Sequence, residues 1–156
     1  MMSTTRKTLG GATALVGVMI AVACALNPVT GNRELALVSE AQEIEMGRQG
    51  SADVIAAFGL NPDAGLQAYV NRIGQAVAAR TERPQLAWEF HVIDDASVNA
   101  FALPGGYIFV TSGLLTHMTN EAELASVLGH ESGHVAARHT VQQISRIWGG
   151  NALRVW

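Results

Sequence analysis

His130-Glu131-Ser132-Gly133-His134 decides the reading of this chain. Residues four apart on a helix point the same way, so the two imidazoles can converge on one cation while their other ring nitrogens stay free for partners behind them. Glu131 lies about 100° round the helix from His130, near enough to hold a water on that cation. Paired imidazoles with a carboxylate base suit zinc best among the common ions, and the spacing is that of a hydrolytic metal site. The alternative is a structural helix whose histidines satisfy ordinary hydrogen bonds.

The flanking residues support a helix. Leu124, Val127, Leu128 and Val135 form one apolar stripe by their three-and-four spacing, and Glu131 falls inside it. An ionised acid there calls for a metal-held water or a basic group opposite. Gly129 and Gly133 lie on the other face, where each costs about 1 kcal/mol relative to Ala, which predicts a close neighbour. Asn120, with Glu123 three residues on, caps the helix start, so Glu121 and Glu123 have a structural task rather than ligation.

Upstream, the period drops to two. Trp88, Phe90 and Val92 alternate with Ala87, Glu89 and His91, which predicts a half-buried strand with His91 on its polar side. Ala100–Leu103, a turn at Pro104-Gly105-Gly106 and Tyr107–Val110 add two more strands, giving a small antiparallel sheet. Thr111 or Ser112 caps a short helix through Met118. Earlier still, Ser39 with Gln42 forms a capping box for a helix bearing Ile44, Ala52, Ile55 and Phe58 as far as Gly59. Asn61-Pro62 starts a second, with Leu66, Tyr69, Val70, Ile73 and Val77 at helical spacing to about Arg80. Both are read as core scaffolding.

With 156 residues, 49% hydrophobic and 15% charged, there is room for one small domain plus an apolar leader. Residues 1–24 have the form of a signal peptide: Arg6 and Lys7, an apolar run from Leu9 to Ala23, then the single cysteine, Cys24. An uncleaved anchor is the other option. Ala21-Val22-Ala23-Cys24 is close to a bacterial lipoprotein junction, so Cys24 is a candidate lipidation site, against an ordinary cleavage site or a leader thiol. Removing the leader leaves 8 basic residues against 13 acidic ones, a net charge of −5, which argues against nucleic acid as a partner. One cysteine permits no internal disulfide. The remaining divisions are a turn-rich linker over 25–38, the folded part over 39–148 and an irregular tail over 149–156.

Two longer patterns resemble a known family. Asn99-Ala-Phe-Ala-Leu-Pro-Gly-Gly-Tyr-Ile-Phe-Val-Thr-Ser-Gly-Leu-Leu115 precedes Asn120-Glu-Ala-Glu-Leu-Ala-Ser-Val-Leu-Gly-His-Glu-x-Gly-His-Val-x-x-Arg-His139. Together they are similar to bacterial zinc metallopeptidases related to the CAAX prenyl protease and Oma-type quality-control proteases, a group that includes beta-barrel assembly-enhancing proteases. The similarity runs from about Asn27 to Gln143. It implies an α+β, zincin-like (gluzincin) domain with His130 and His134 as zinc ligands and Glu131 as general base. It further implies an endopeptidase acting on misfolded or unassembled envelope proteins, in the periplasm and anchored to a membrane. In such sites a strand like Tyr107–Val110 borders the cleft, the other reading being plain core sheet.

The chain departs from that family at one place. Gluzincins take a third protein ligand, a glutamate on a later helix, and Glu131 is the last acidic residue here. His139 is a poor substitute, since on a continuous helix it projects about 140° from His134. A metzincin pattern fails as well, because its glycine and third histidine would fall at Ala137 and Thr140. The expectation is therefore a truncated product carrying the N-terminal part of a metallopeptidase domain, holding zinc weakly through two histidines. The competing class is an inactive envelope lipoprotein that binds unfolded partners.

Overall fold

The computed structural model describes residues 24–152; the leader before Cys24 and the last four residues lie outside them. Two strands, β1 (Cys24–Leu26) and β2 (Arg33–Leu35), pair antiparallel across the Asn27-Pro28-Val29-Thr30-Gly31 turn, so the expected linker contains a ribbon. Helices α1 (Glu40–Phe58) and α2 (Ala64–Ala78) follow. Next come β3 (Glu89–Ile93), β4 (Ala100–Leu103), a 3-10 turn over Pro104–Gly106 and β5 (Tyr107–Thr111). The short α3 (Ser112–Leu115), the motif helix α4 (Glu121–Ala136) and α5 (His139–Ala152) complete the described residues. Helix α5 continues through the Gly149-Gly150 pair at which the sequence pattern stops it.

The fold is α+β, and its sheet has the order β3-β5-β4. It is mixed rather than antiparallel: β4 and β5 form a tight antiparallel hairpin, but β3 runs parallel to β5. Tyr107-Ile108-Phe109-Val110 is continuously apolar because β5 is central and covered on both faces. On one face Phe90, Val92, Ile108 and Val110 meet Val70 and Ile73 of α2 and Leu124 and Leu128 of α4. On the other, Ile93, Tyr107 and Phe109 meet Val54 and Ile55 of α1. Burying a Leu, Ile, Val or Phe side chain is worth about 1.5–3 kcal/mol, so the α4 stripe fixes which way the motif helix faces.

Caps form close to where the residues indicate. Ser39 and Gln42 make the reciprocal box on α1, and Thr111 Oγ1 accepts from Leu114 N at 3.1 Å to start α3. On α2 the cap is Asp63, whose Oδ1 accepts from Gly65 N and Leu66 N, while Asn61 caps the turn before it.

The buried face of α1 is a correction. Ile44 and Phe58 are 36% and 47% exposed; the residues turned inward are Glu43, Gly47 and Ser51. Gly47 sits there because the Pro104 carbonyl would lie 1.8 Å from an added Cβ. The helix is thus held by close backbone approach and by a buried carboxylate in its first half, with Ile55 of the expected stripe and Val54 packing on the sheet in its second.

Candidate metal centre

Helix α4 brings His130 and His134 together as the four-residue spacing predicts. Their Nε2 atoms lie 3.1 Å apart, with the ring planes nearly perpendicular. Two imidazoles on one tetrahedral zinc, at about 2.0–2.1 Å from each nitrogen, would hold those atoms about 3.3 Å apart, so the donor pair fits such an ion with little movement. Glu131 is half-buried in a groove lined by Val98, Asn99, Ala100, Leu114, Val127 and His130. Among the described residues it makes no ion pair or hydrogen bond, which leaves the carboxylate free to act on a water. No group of three or more His, Cys, Asp or Glu side chains placed to hold a metal occurs among the described residues. The fit therefore covers two ligands and the base.

The helix does not continue to His139. Ala137 is the C-cap, Arg138 takes φ 57°, and α5 starts afresh at His139. A left-handed conformation costs an ordinary residue roughly 1–2 kcal/mol, and a specific clamp offsets it. Arg138 Nε donates to Glu43 Oε2 at 2.8 Å and its Nη2 to the Val38 carbonyl at 3.1 Å. Arg83, 3% exposed, closes the other side of the fully buried Glu43 with donors at 2.7 and 3.2 Å, and Nη1 also reaches the Val135 carbonyl. Asn27, also buried, donates to the Ala137 carbonyl at 3.0 Å while its Oδ1 accepts from Val29 N and Thr30 N. Three segments distant in sequence, at Asn27, Val38–Glu43 and Arg83, thus converge on the last turn of α4.

The break corrects the expected place of His139. Instead of projecting away, its Nδ1 lies 2.6 Å from Nδ1 of His134, on the side opposite His130. No Gly or Pro signals this turn, and nothing local in Arg138-His139 reveals it.

At the other end, Asn120 Oδ1 accepts from Glu123 N at 3.1 Å. The Glu123 carboxylate accepts from Thr119 N and Oγ1, both at 2.8 Å, and these bonds, the backbone one first, hold its carboxyl below the ordinary 4.5. His91 pairs with Glu89 at 3.0 Å and takes no part. The two glycines expected to be crowded are not: a Cβ on Gly133 would meet nothing within 4 Å, and on Gly129 only Val77 Cγ1 at 3.9 Å.

Residues 64–156 match peptidase family M48. The chain belongs to that family. It is 36% identical over 121 residues to the mitochondrial metalloendopeptidase OMA1 of Schizosaccharomyces pombe, covering 76% of this chain and 36% of that protein. It is 35% identical over 114 residues to the beta-barrel assembly-enhancing protease of Yersinia pestis, covering 73% of this chain and 24% of the relative. OMA1 of Arabidopsis thaliana is 44% identical over 75 residues, 47% of this chain and 16% of the relative. The chain thus spans about a third or less of the length of these relatives. M48 members are metallopeptidases that generally use zinc, which agrees with the donor pair on α4.

The M48 relationship also bears on the sheet. The strand expected to border the cleft, β5, is paired on both sides and has no backbone groups to offer a substrate. The edge strand next to α4 is β4. Its first residue, Ala100, lines the same groove as Glu131.

Proposed function

We propose that this chain carries part of the active site of a zinc-dependent endopeptidase that cleaves misfolded or unassembled envelope proteins. The observation that carries the proposal is the 3.1 Å approach of His130 Nε2 and His134 Nε2 beside an unpaired Glu131. Family membership and the names of the OMA1 and beta-barrel assembly-enhancing relatives support it.

In this reading His130 and His134 hold the zinc through Nε2. When bound, zinc acidifies a water and polarises the scissile carbonyl. Glu131 takes the proton of the attacking water on its carboxylate and passes it to the departing amine nitrogen. Ala100–Leu103 offers its open edge to an extended substrate by backbone pairing, and the apolar walls Val98, Leu114 and Val127 keep the site partly dry. The described residues supply these two ligands and the base.

The proposed location is the periplasm, with attachment to the inner or outer membrane through lipidated Cys24 or an uncleaved leader. No helix among the described residues is long and apolar enough to cross a membrane.

The test is cleavage of casein or a misfolded porin by zinc-loaded protein. Cleavage that stops on chelation and on Glu131→Gln, with zinc retained in the variant, is expected. Binding without cleavage, indifferent to chelator, would contradict the endopeptidase reading.

A further inference from the structure

We propose that the face formed by the β1–β2 ribbon and α5 lies against a lipid bilayer, with Leu26, Leu37 and Trp148 in the headgroup region. The inference rests on the anchoring reading above and adds to it which surface the anchored protein turns to the membrane. Either form of attachment, a lipidated Cys24 or an uncleaved leader, joins the membrane to the folded part at Cys24, the first residue of β1. At about 3.4 Å per residue, Leu26 lies about 7 Å along β1 from that point. Leu37 follows two residues after Leu35, the cross-strand partner of Cys24. Side chains this near the attachment either enter the bilayer surface or hold the protein off it, and their character decides which. Leu26 is 65% exposed and Leu37 40%, and Val29 at the tip of the ribbon is exposed as well.

Helix α5 joins these side chains into one surface. Val141 and Gln142 in its first turn line a shallow hollow with Leu26, and Ser145 Oγ accepts from Leu37 N at 3.1 Å. Val141 and Ser145 are buried, yet Trp148, next on the same stripe about one turn later, is 54% exposed. The inward stripe of α5 thus runs past the protein that covers it. Trp148 opens onto a groove of about 450 Å³ whose other walls include Val38, Ala41 and Met46. Among the described residues eleven large apolar side chains are exposed, and six of them, Leu26, Val29, Leu37, Met46, Ile147 and Trp148, belong to this ribbon, α5 and groove.

Exposed apolar side chains gathered on one surface mark a protein or membrane contact, and attachment at Cys24 brings the membrane to this one. Arg33, Glu40, Glu45 and Arg146 around it are exposed and of mixed sign. Apolar burial and the preference of an indole for the membrane interface therefore hold the face down, rather than attraction to anionic headgroups.

The experiment reconstitutes the full chain, leader included, into phosphatidylcholine vesicles and compares plain lipid with lipid brominated on the acyl chain close to the headgroup. Trp148→Phe isolates the emission of Trp148 by difference. An indole lying about 5–10 Å into the interface is within reach of the bromines, so that emission should fall roughly two-fold. Leu26→Glu combined with Leu37→Glu, both surface changes, should remove most of the quenching while the protein still floats with the vesicles.

Floating protein whose Trp148 emission is equal in the two lipids overturns the inference and leaves the anchoring in place; cross-linking of two copies through α5 would then identify a second copy as the cover. Quenching that persists unchanged in the double variant overturns it too. Protein that stays in the soluble fraction overturns the anchoring reading, and this inference with it.

Discussion

The two ends of α4 are secured in opposite ways. At the start, Asn120, Thr119 and Glu123 exchange hydrogen bonds within five residues of one another, in the open. At the finish, Arg138 is tied to Glu43, Val135 to Arg83 and Ala137 to Asn27, across separations of 52 to 110 residues and mostly out of water. A local exposed cap makes a helix begin; a buried distant clamp decides where it stops and where the next residue points. His130 and His134 lie between the two, so the cap sets the register of the ligands and the clamp sets what stands behind them.

The sharpest way to break this contrast is Glu43→Gln. The amide keeps the volume but leaves Arg83 and Arg138 without their buried counter-charge, a loss of about 3–5 kcal/mol by analogy with other one-sided removals. Urea unfolding should show it, and a cost below that of any change at the exposed end would void the comparison. One turn further along α1, Gly47→Ala should cost about 1–3 kcal/mol or more, because its Cβ meets the Pro104 carbonyl. Gly133→Ala, on the open side of α4, should instead gain up to about 1 kcal/mol in thermal unfolding.

At the exposed end, Asn120→Ala should cost about 1 kcal/mol, the usual worth of a cap. The smallest effect concerns Glu123. Its carboxyl is depressed in the folded protein, so the folded state binds fewer protons there than the unfolded one. Its contribution is complete above 4.5 and fades as pH falls through the lower folded value. Melting temperatures of wild type and Glu123→Gln should therefore differ near neutrality and converge in acid, at low salt most clearly.

The same contrast marks how far the residues could be read. The cap at Asn120, the box at Ser39 and Gln42, the period-two strand at Phe90 and Val92 and the imidazole pair all depend on neighbours within a few positions, and each is where its pattern puts it. Three features depend on distant partners and were not legible. Glu43 looks like a solvated helix acid until Arg83 and Arg138 are beside it. The direction of β3 against β5 follows from how the chain returns past a hairpin, not from any residue in the strands. The turn at Arg138 carries no glycine because an ion pair, rather than a missing side chain, stabilises it. Since that turn places His139, the part of the site that spacing missed is the part built by long-range charge.

X-ray absorption at the zinc edge on metal-loaded protein tests the central claim most directly. The account predicts two imidazole nitrogens at about 2.0–2.1 Å in the wild type and one after either His130→Ala or His134→Ala, with Glu131→Gln leaving the shell intact. A zinc shell without imidazole, or one unaltered by both histidine changes, would contradict it.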